Sequence, residues 1–356
     1  MSVIFSRSPY LIEVDEADQV SSKLEIYIWN SGSQPASPQY TLSKKIPASN
    51  SLQTIYNVSP YIREYYNFAN FTGDNGLYNN PTSTSHYCNV RVTRLVTDSS
   101  GERSIDSTLY RAFDGYGYYE EGSNPDLGNV MLSEGHYSYK KLGGADIVSQ
   151  IQNLAGSITM LTGTSDKLRY TSLTSGAIFE ANLTDASIIN ADRIYAVYRD
   201  EGNKVEYLTG GSSVAWTAYF RPIEECKYTP IYIDYINKQG AWSRMFLFKT
   251  SKTSISVQSK DYNLMQSNAL SYDALEGQVK QFNTNGKETI KGNTGFVRED
   301  FFPQLRELML SERVLVNSRP AKVNTQSVDK QTGLDNKTMS YGLEFSFNNN
   351  IINKVV

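Results

Sequence analysis

Along the chain, apolar and polar positions alternate far more often than they recur every three or four residues, and this alternation predicts strands. In "KLEIYIWN" Leu24, Ile26 and Ile28 fall on one side and Glu25, Tyr27 and Trp29 on the other, the period of a half-buried strand; "SGSQPASPQ" then reads as a loop and "YTLSKKIP" as the returning strand. "SPYIREYY" predicts a short helix with Ser59 as its cap and Pro60 at a first helical position. The run from Asn67 to Ser85 reads as an exposed polar loop, and "HYCNVRVTRLVTDSSGERSIDSTLYRAF" as a hairpin turning at Ser-Ser-Gly-Glu. Further on, "ADIVSQIQNLAGSITMLTG" fits either a helix from Asp146 or a buried strand, and "DRIYAVYRDEGNKVEYLTG" predicts a hairpin around Glu201-Gly202-Asn203.

The last part is the best organised. "TPIYIDYINKQGAWSRMFLFKTSKTSISVQSKDY" predicts a strand, a turn at Asn237 to Gly240, a strand placing Trp242, Arg244, Phe246 and Phe248 on one face, and a third strand. "EDFFPQLRELMLSE" spaces Phe301, Leu305, Leu308 and Met309 as an amphipathic helix near 299–312, with Pro303 tolerated in its first turn. "MSYGLEFSFNN" puts Met339, Tyr341, Leu343, Phe345 and Phe347 on one strand face. The expectation is a mainly β chain of two or three sandwich- or barrel-like domains with a few short helices. Their bounds are 1–145, 146–225 (a middle β-unit) and 226–356 (a sheet with one helix packed on or beside it).

Composition narrows the chemistry. The 356 residues are 39% hydrophobic and 20% charged with a net charge of -3, which points neither to disorder nor to nucleic-acid binding. There are 26 Tyr against 14 Phe, and only 2 His and 2 Cys. Tyrosine combines an apolar ring with a polar tip and suits half-buried sheets and interfaces. The two cysteines, Cys88 and Cys226, make at most one bridge and read as free, buried thiols. The N-terminal stretch lacks the features of a secretion signal, and no apolar run is long enough for a spanning helix, so no membrane insertion is expected.

A catalytic site would have to draw on His86 or His136, and His86 with Cys88 lacks the second pair that closes a zinc shell. "DGYGYYEEGSNPD", residues 114–126, concentrates acids, glycines and rings. Asp114, Glu120, Glu121 and Asp126 offer oxygen ligands and Tyr116, Tyr118 and Tyr119 offer stacking faces, yet the spacing is not that of a calcium loop. The same Gly-Tyr alternation also arises where a strand lies close to a neighbouring backbone. An edge or interface, a ligand loop and a plain solvated loop all remain open for this segment. No catalytic residue, metal or cofactor is expected; Tyr116, Tyr118, Tyr119, Glu120, Glu121, Trp242 and Phe246 are the candidate interface or ligand contacts.

The segment from Tyr235, through Asn237, Gly240, Trp242, Phe246, Phe248 and Lys252 to Tyr262, resembles a recurring pattern in structural proteins of tailed bacteriophages infecting Bacteroidota. "FPQLRELMLSERVLV" running into a strand and "MSYGLEFSFNNNI" are similar to the closing segments of those proteins, so the resemblance covers roughly residues 226–356. It implies a virion component of the tail, tail tip or baseplate, made in the host cytoplasm. Its implied partners are copies of itself in a ring and other tail proteins, and a neighbour in that ring is expected to cover the second face of the Trp242 strand. A tail adhesin for a host-surface glycan is the alternative.

Overall fold

The computed structural model describes residues 3–30, 32–46, 53–68, 87–125, 135–140, 148–151, 167–182, 191–194, 201–225, 227–240, 242–264, 275, 277–330, 332 and 339–352. The Asn67–Ser85 loop from residue 69 on, and His86, Asp126 and Cys226, lie outside these residues.

The first unit holds β1 (Val3–Phe5), β2 (Leu11–Val14), β3 (Ser21–Trp29), β4 (Tyr40–Lys45), β5 (Thr54–Asn57), α1 (Ser59–Tyr65), β6 (Tyr87–Asp98) and β7 (Gly101–Phe113). Five strands form one sheet in the order β1-β7-β6-β3-β4, and β2 pairs with β5 as a small second sheet. The expected β3–β4 and β6–β7 hairpins are both antiparallel as read, whereas β1 joins β7 in parallel. Strict alternation in β3 buries Leu24, Ile26 and Ile28 against Ile12, Val14, Tyr56 and Ile62 of the covering elements. Cys88 lies in this core as a free thiol, and burial in apolar surroundings pushes its pKa up.

Helix α1 begins one residue earlier than its sequence suggests. Val58 occupies the cap position and Ser59 lies inside the helix without a side-chain capping bond. Asn57 takes over the task, because its Oδ1 accepts from the N–H groups of both Ser59 (3.3 Å) and Tyr10 (3.2 Å).

The middle strands are β8 (Gly135–Lys140), β9 (Val148–Ile151), β10 (Lys167–Ser172), β11 (Ile178–Asn182), β12 (Ala191–Ile194), β13 (Asn203–Thr209) and β14 (Ser213–Ile223). One sheet runs β11-β10-β13-β14-β8 and a second joins β12 to β9, so residues 148–151 adopt the strand alternative. Of the hairpin expected around Glu201-Gly202-Asn203, residues 195–200 of the first arm lie outside the described residues. A strand has two edges, and both edges of β13 are taken, by β10 and β14, which sends Ala191–Ile194 to β9 instead.

The third unit contains β15 (Ile231–Ile236), β16 (Trp242–Leu247), β17 (Lys252–Asn263), β18 (Val279–Val297), a 3-10 turn (Glu299–Phe301), α2 (Phe302–Met309), β19 (Val314–Val316), β20 (Arg319–Val323), β21 (Met339–Phe347) and β22 (Ile351–Ile352). Its eight strands run β16-β15-β19-β20-β21-β18-β17, with β22 added beside β18. The expected helix packs Phe301, Leu305 and Leu308 onto the sheet face formed by Ile233, Tyr235, Leu343 and Phe345. The long β18 carries too many polar residues and glycines to be recognised by alternation.

Because Leu308 is wholly buried in this core, Leu308→Ala removes methyl groups and leaves a void. The expected cost is about 2–5 kcal/mol, read as a lower urea midpoint for the transition of the third unit.

Candidate functional site

The segment 114–125 is a joint between the first and third units. It leaves β7 at Phe113 and runs against the β15–β16 turn, where the Tyr116 N–H donates to the Lys238 carbonyl at 2.7 Å. Two glycines permit this approach. A Cβ on Gly115 would stand 2.6 Å from Phe5 Cδ1 and 2.7 Å from the Gln239 carbonyl carbon. A Cβ on Gly240, whose φ is +88°, would stand 2.6 Å from the Asp114 carbonyl carbon and the Gly115 nitrogen. The backbones touch where both residues lack side chains.

Charges gather around the contact. Arg7 follows β1, its N–H donates to the Gly115 carbonyl at 2.9 Å, and its Nε donates to the Asp114 carbonyl at 2.9 Å. Its Nη2 reaches the Asn237 carbonyl at 3.4 Å. The side chains of Arg7 and Asp114 are 4% and 6% exposed, with Nε and Oδ1 3.9 Å apart. Burial raises the Asp114 pKa, and Arg7, Arg313 and Arg63 oppose that rise. Arg313 Nη2 lies 3.8 Å from Asp114 Oδ2, and Glu312 accepts from Arg63 at 3.0 Å. A cleft of about 290 Å³ opens beside these groups, lined by Arg63, Tyr66, Asp114 and Arg313 among others.

The candidate residues divide sharply. Tyr116 and Tyr118 meet edge to face at 5.8 Å. Arg7 lies 4.7 Å from the Tyr116 ring centre; Lys238 and Arg306 approach the Tyr118 ring at 4.2 and 4.7 Å. Each such cation–π contact stabilises by about 0.5–2 kcal/mol, most where water is excluded. Glu121 pairs with Lys238 and its Oε2 accepts the Tyr118 N–H at 2.8 Å, so the rings are occupied by the chain's own cations. Asn124 ties the end of the segment back to β2 through both polar groups of Leu11. By contrast Tyr119 and Glu120 face solvent.

Trp242 and Phe246 are elsewhere. They are buried on the face of β16 opposite to Met245 and Leu247, which enter the α2 core. The expectation that a ring neighbour covers that face is corrected: Trp242 and Phe246 are already buried within one copy.

Sequence reading missed Arg7, Lys238, Arg306, Glu307 and Arg313, whose charges look like ordinary surface charges until the chain folds. Glu307 is strongly perturbed. Burial raises its pKa to about 7, against the opposing pull of the Lys238 backbone N–H, the Lys238 charge and Arg306. Its Oε2 is buried without a hydrogen-bond partner among the described residues. The arrangement is suited to locking two sheets together.

No protein-family model matches the chain, and no curated protein matches it. Among solved structures it is similar to the crystal structure of chicken CNTN1 FN1-FN3 domains, at 10% identity and a TM-score of 0.21, covering 80% of this chain and 93% of that one. A likeness this low carries no argument.

The chemistry of the joint is open to two measurements. Gly240→Ala forces a Cβ into the Asp114–Gly115 backbone and strains a left-handed residue. It should cost on the order of 2–4 kcal/mol and speed hydrogen exchange of the Tyr116 amide. A folded-state pKa near 7 for Glu307, raised from 4.5, means that its contribution is full below about pH 4.5 and is lost as pH rises through 7. Glu307→Gln should therefore match the parent at pH 4 and exceed it at pH 8, by up to about 3 kcal/mol, in parallel urea titrations.

Proposed function

We propose that the chain is a structural component of a tailed-phage virion, placed in the tail, tail tip or baseplate, that works by assembly and not by turning over a substrate. The observation that carries this reading is the use made of its most chemistry-like segment. Tyr116, Tyr118 and Glu121 are spent on Arg7, Lys238 and Arg306, which makes the first and third units one braced body. Subunits that transmit load through a particle need such bracing. The resemblance of residues 226–356 to tail proteins of phages infecting Bacteroidota supports the same reading. Its partners are then copies of itself and other tail proteins.

A host-glycan adhesin is the second reading, favoured by Tyr119, whose ring is fully exposed beside the exposed Glu120. Sugars stack on faces of this kind.

An epitope-tagged chain expressed from its native locus should co-sediment with DNA-filled particles and label their tails in electron micrographs. A tag found only in the particle-free fraction rules the virion reading out. For the adhesin, titration with host-surface glycan should change tyrosine fluorescence saturably, and Tyr119→Ala should abolish that change.

A further inference from the structure

Strand β17 is the outermost strand of the eight-stranded sheet and pairs only with β18 among the described residues. Eleven of its twelve residues are exposed, so both faces and one backbone edge are open to water. Long edges of this kind template pairing with another strand unless a proline, a bulge or a covering element blunts them. The stretch from Lys252 to Gln258 pairs with β18 in unbroken register and contains no proline; between Gln258 and Lys260 the register shifts, with the extra residue on β18, so β17 itself keeps its alternation.

The exposed side chains are apolar where a partner would lie. Ile255 and Val257 share a face and are 58% and 57% exposed. Gly286 stands directly across from Val257 and pairs on its other side with Ile351, itself 47% exposed. A Cβ on Gly286 would meet Ile255 Cδ1 at 3.2 Å and Ile351 Cβ at 3.5 Å, so the three side chains form one continuous strip.

We infer that β17 pairs antiparallel with β17 of a second copy about a two-fold axis at Val257, extending the sheet across the dimer. The register follows from the sequence and the length of the strand, since centring on Ile255 would leave Ser259 to Asn263 without a partner. A two-fold axis normal to the sheet keeps each side chain on its own face, so residues of equal parity face each other. Centring on Ser256 would set Lys252 against Lys260 of the other copy, and like charges directly opposite destabilise a sheet. Centring on Gln258 would set Ile255 against Asp261. Centring on Val257 sets Val257 against its own copy, Lys252 against Tyr262 and Thr253 against Asp261, and joins the two apolar strips. The twelve residues extend about 40 Å. The contact covers on the order of 500–800 Å² per copy, near the lower end of specific interfaces, which suits micromolar association.

This contact rests on the edge strand and not on the virion reading. Absence of the chain from particles leaves it standing, and its failure leaves the particle assay unaffected.

Sedimentation equilibrium of the full chain from about 1 to about 200 μM should show the mass rising from 40.0 kDa towards twice that value. Val257→Lys should hold the protein monomeric throughout with its circular dichroism and melting temperature unchanged. Val257→Cys should give a reducible covalent dimer on mild oxidation, because residue 257 faces itself. Ile255→Cys, which faces Ser259 of the other copy, should give little more than the parent with its native Cys88 and Cys226. A parent that stays monomeric at the highest concentration overturns the proposal, as does a dimer that Val257→Lys leaves intact. A dimer that Val257→Lys dissolves but that Val257→Cys does not link covalently overturns the register.

Discussion

The contact between Gly115 and Gly240 is the constraint on which the arrangement of the other groups depends. Only where two residues without side chains face each other can the Asp114–Tyr116 backbone come within hydrogen-bonding distance of the β15–β16 turn. Once it does, the neighbouring side chains have few choices. Tyr116 and Tyr118 project beside the turn and beside α2, and Arg7, Lys238 and Arg306 lie over their rings. Arg7 and Asp114 are too buried to be left alone, so each neutralises part of the cost of burying the other. Such a pair adds little net stability, but losing one member leaves an isolated buried charge. The joint is thus insensitive to surface change and sensitive to any change at its centre.

Much of the sheet structure was legible because a half-buried strand writes its environment into every second residue. Leu24, Ile26 and Ile28, and Met339 through Phe347, announce both the element and its buried face. The helix over Phe302–Met309 was legible for the matching reason at its own period. Pairing partners were not, since alternation fixes which face is buried and says nothing of which strand lies beside it. That is why β13 was assigned to a neighbour it does not have. The joint lay between these cases. Gly-Tyr alternation signalled a close backbone, but the partner turn lies more than a hundred residues away and its Gly240 resembles any turn glycine.

The abundance of tyrosine has a structural use here. Tyr116 and Tyr118 offer flat faces to cations, Tyr40 and Tyr61 pack ring to ring at 5.2 Å between β4 and α1, and Tyr235 sends its hydroxyl to the Gln304 carbonyl at 3.5 Å. Phenylalanine could fill the same volumes, but its ring has no polar tip to satisfy at the margins of several small cores. A chain built from multiple modest sheets has much margin and little deep interior. Tyrosine is suited to that geometry.

The place of Arg7 has a consequence for how the protein is made. Its backbone partner lies on the far side of β7 and its guanidinium reaches Asn237, 230 residues later in the chain. During synthesis β1 can pair as soon as β7 has emerged, and Asp114 follows directly to meet Arg7, but the tie from Arg7 to the third unit waits until Asn237 has left the ribosome. The strand itself is seated early, and what closes late is the brace that runs from it to the third unit.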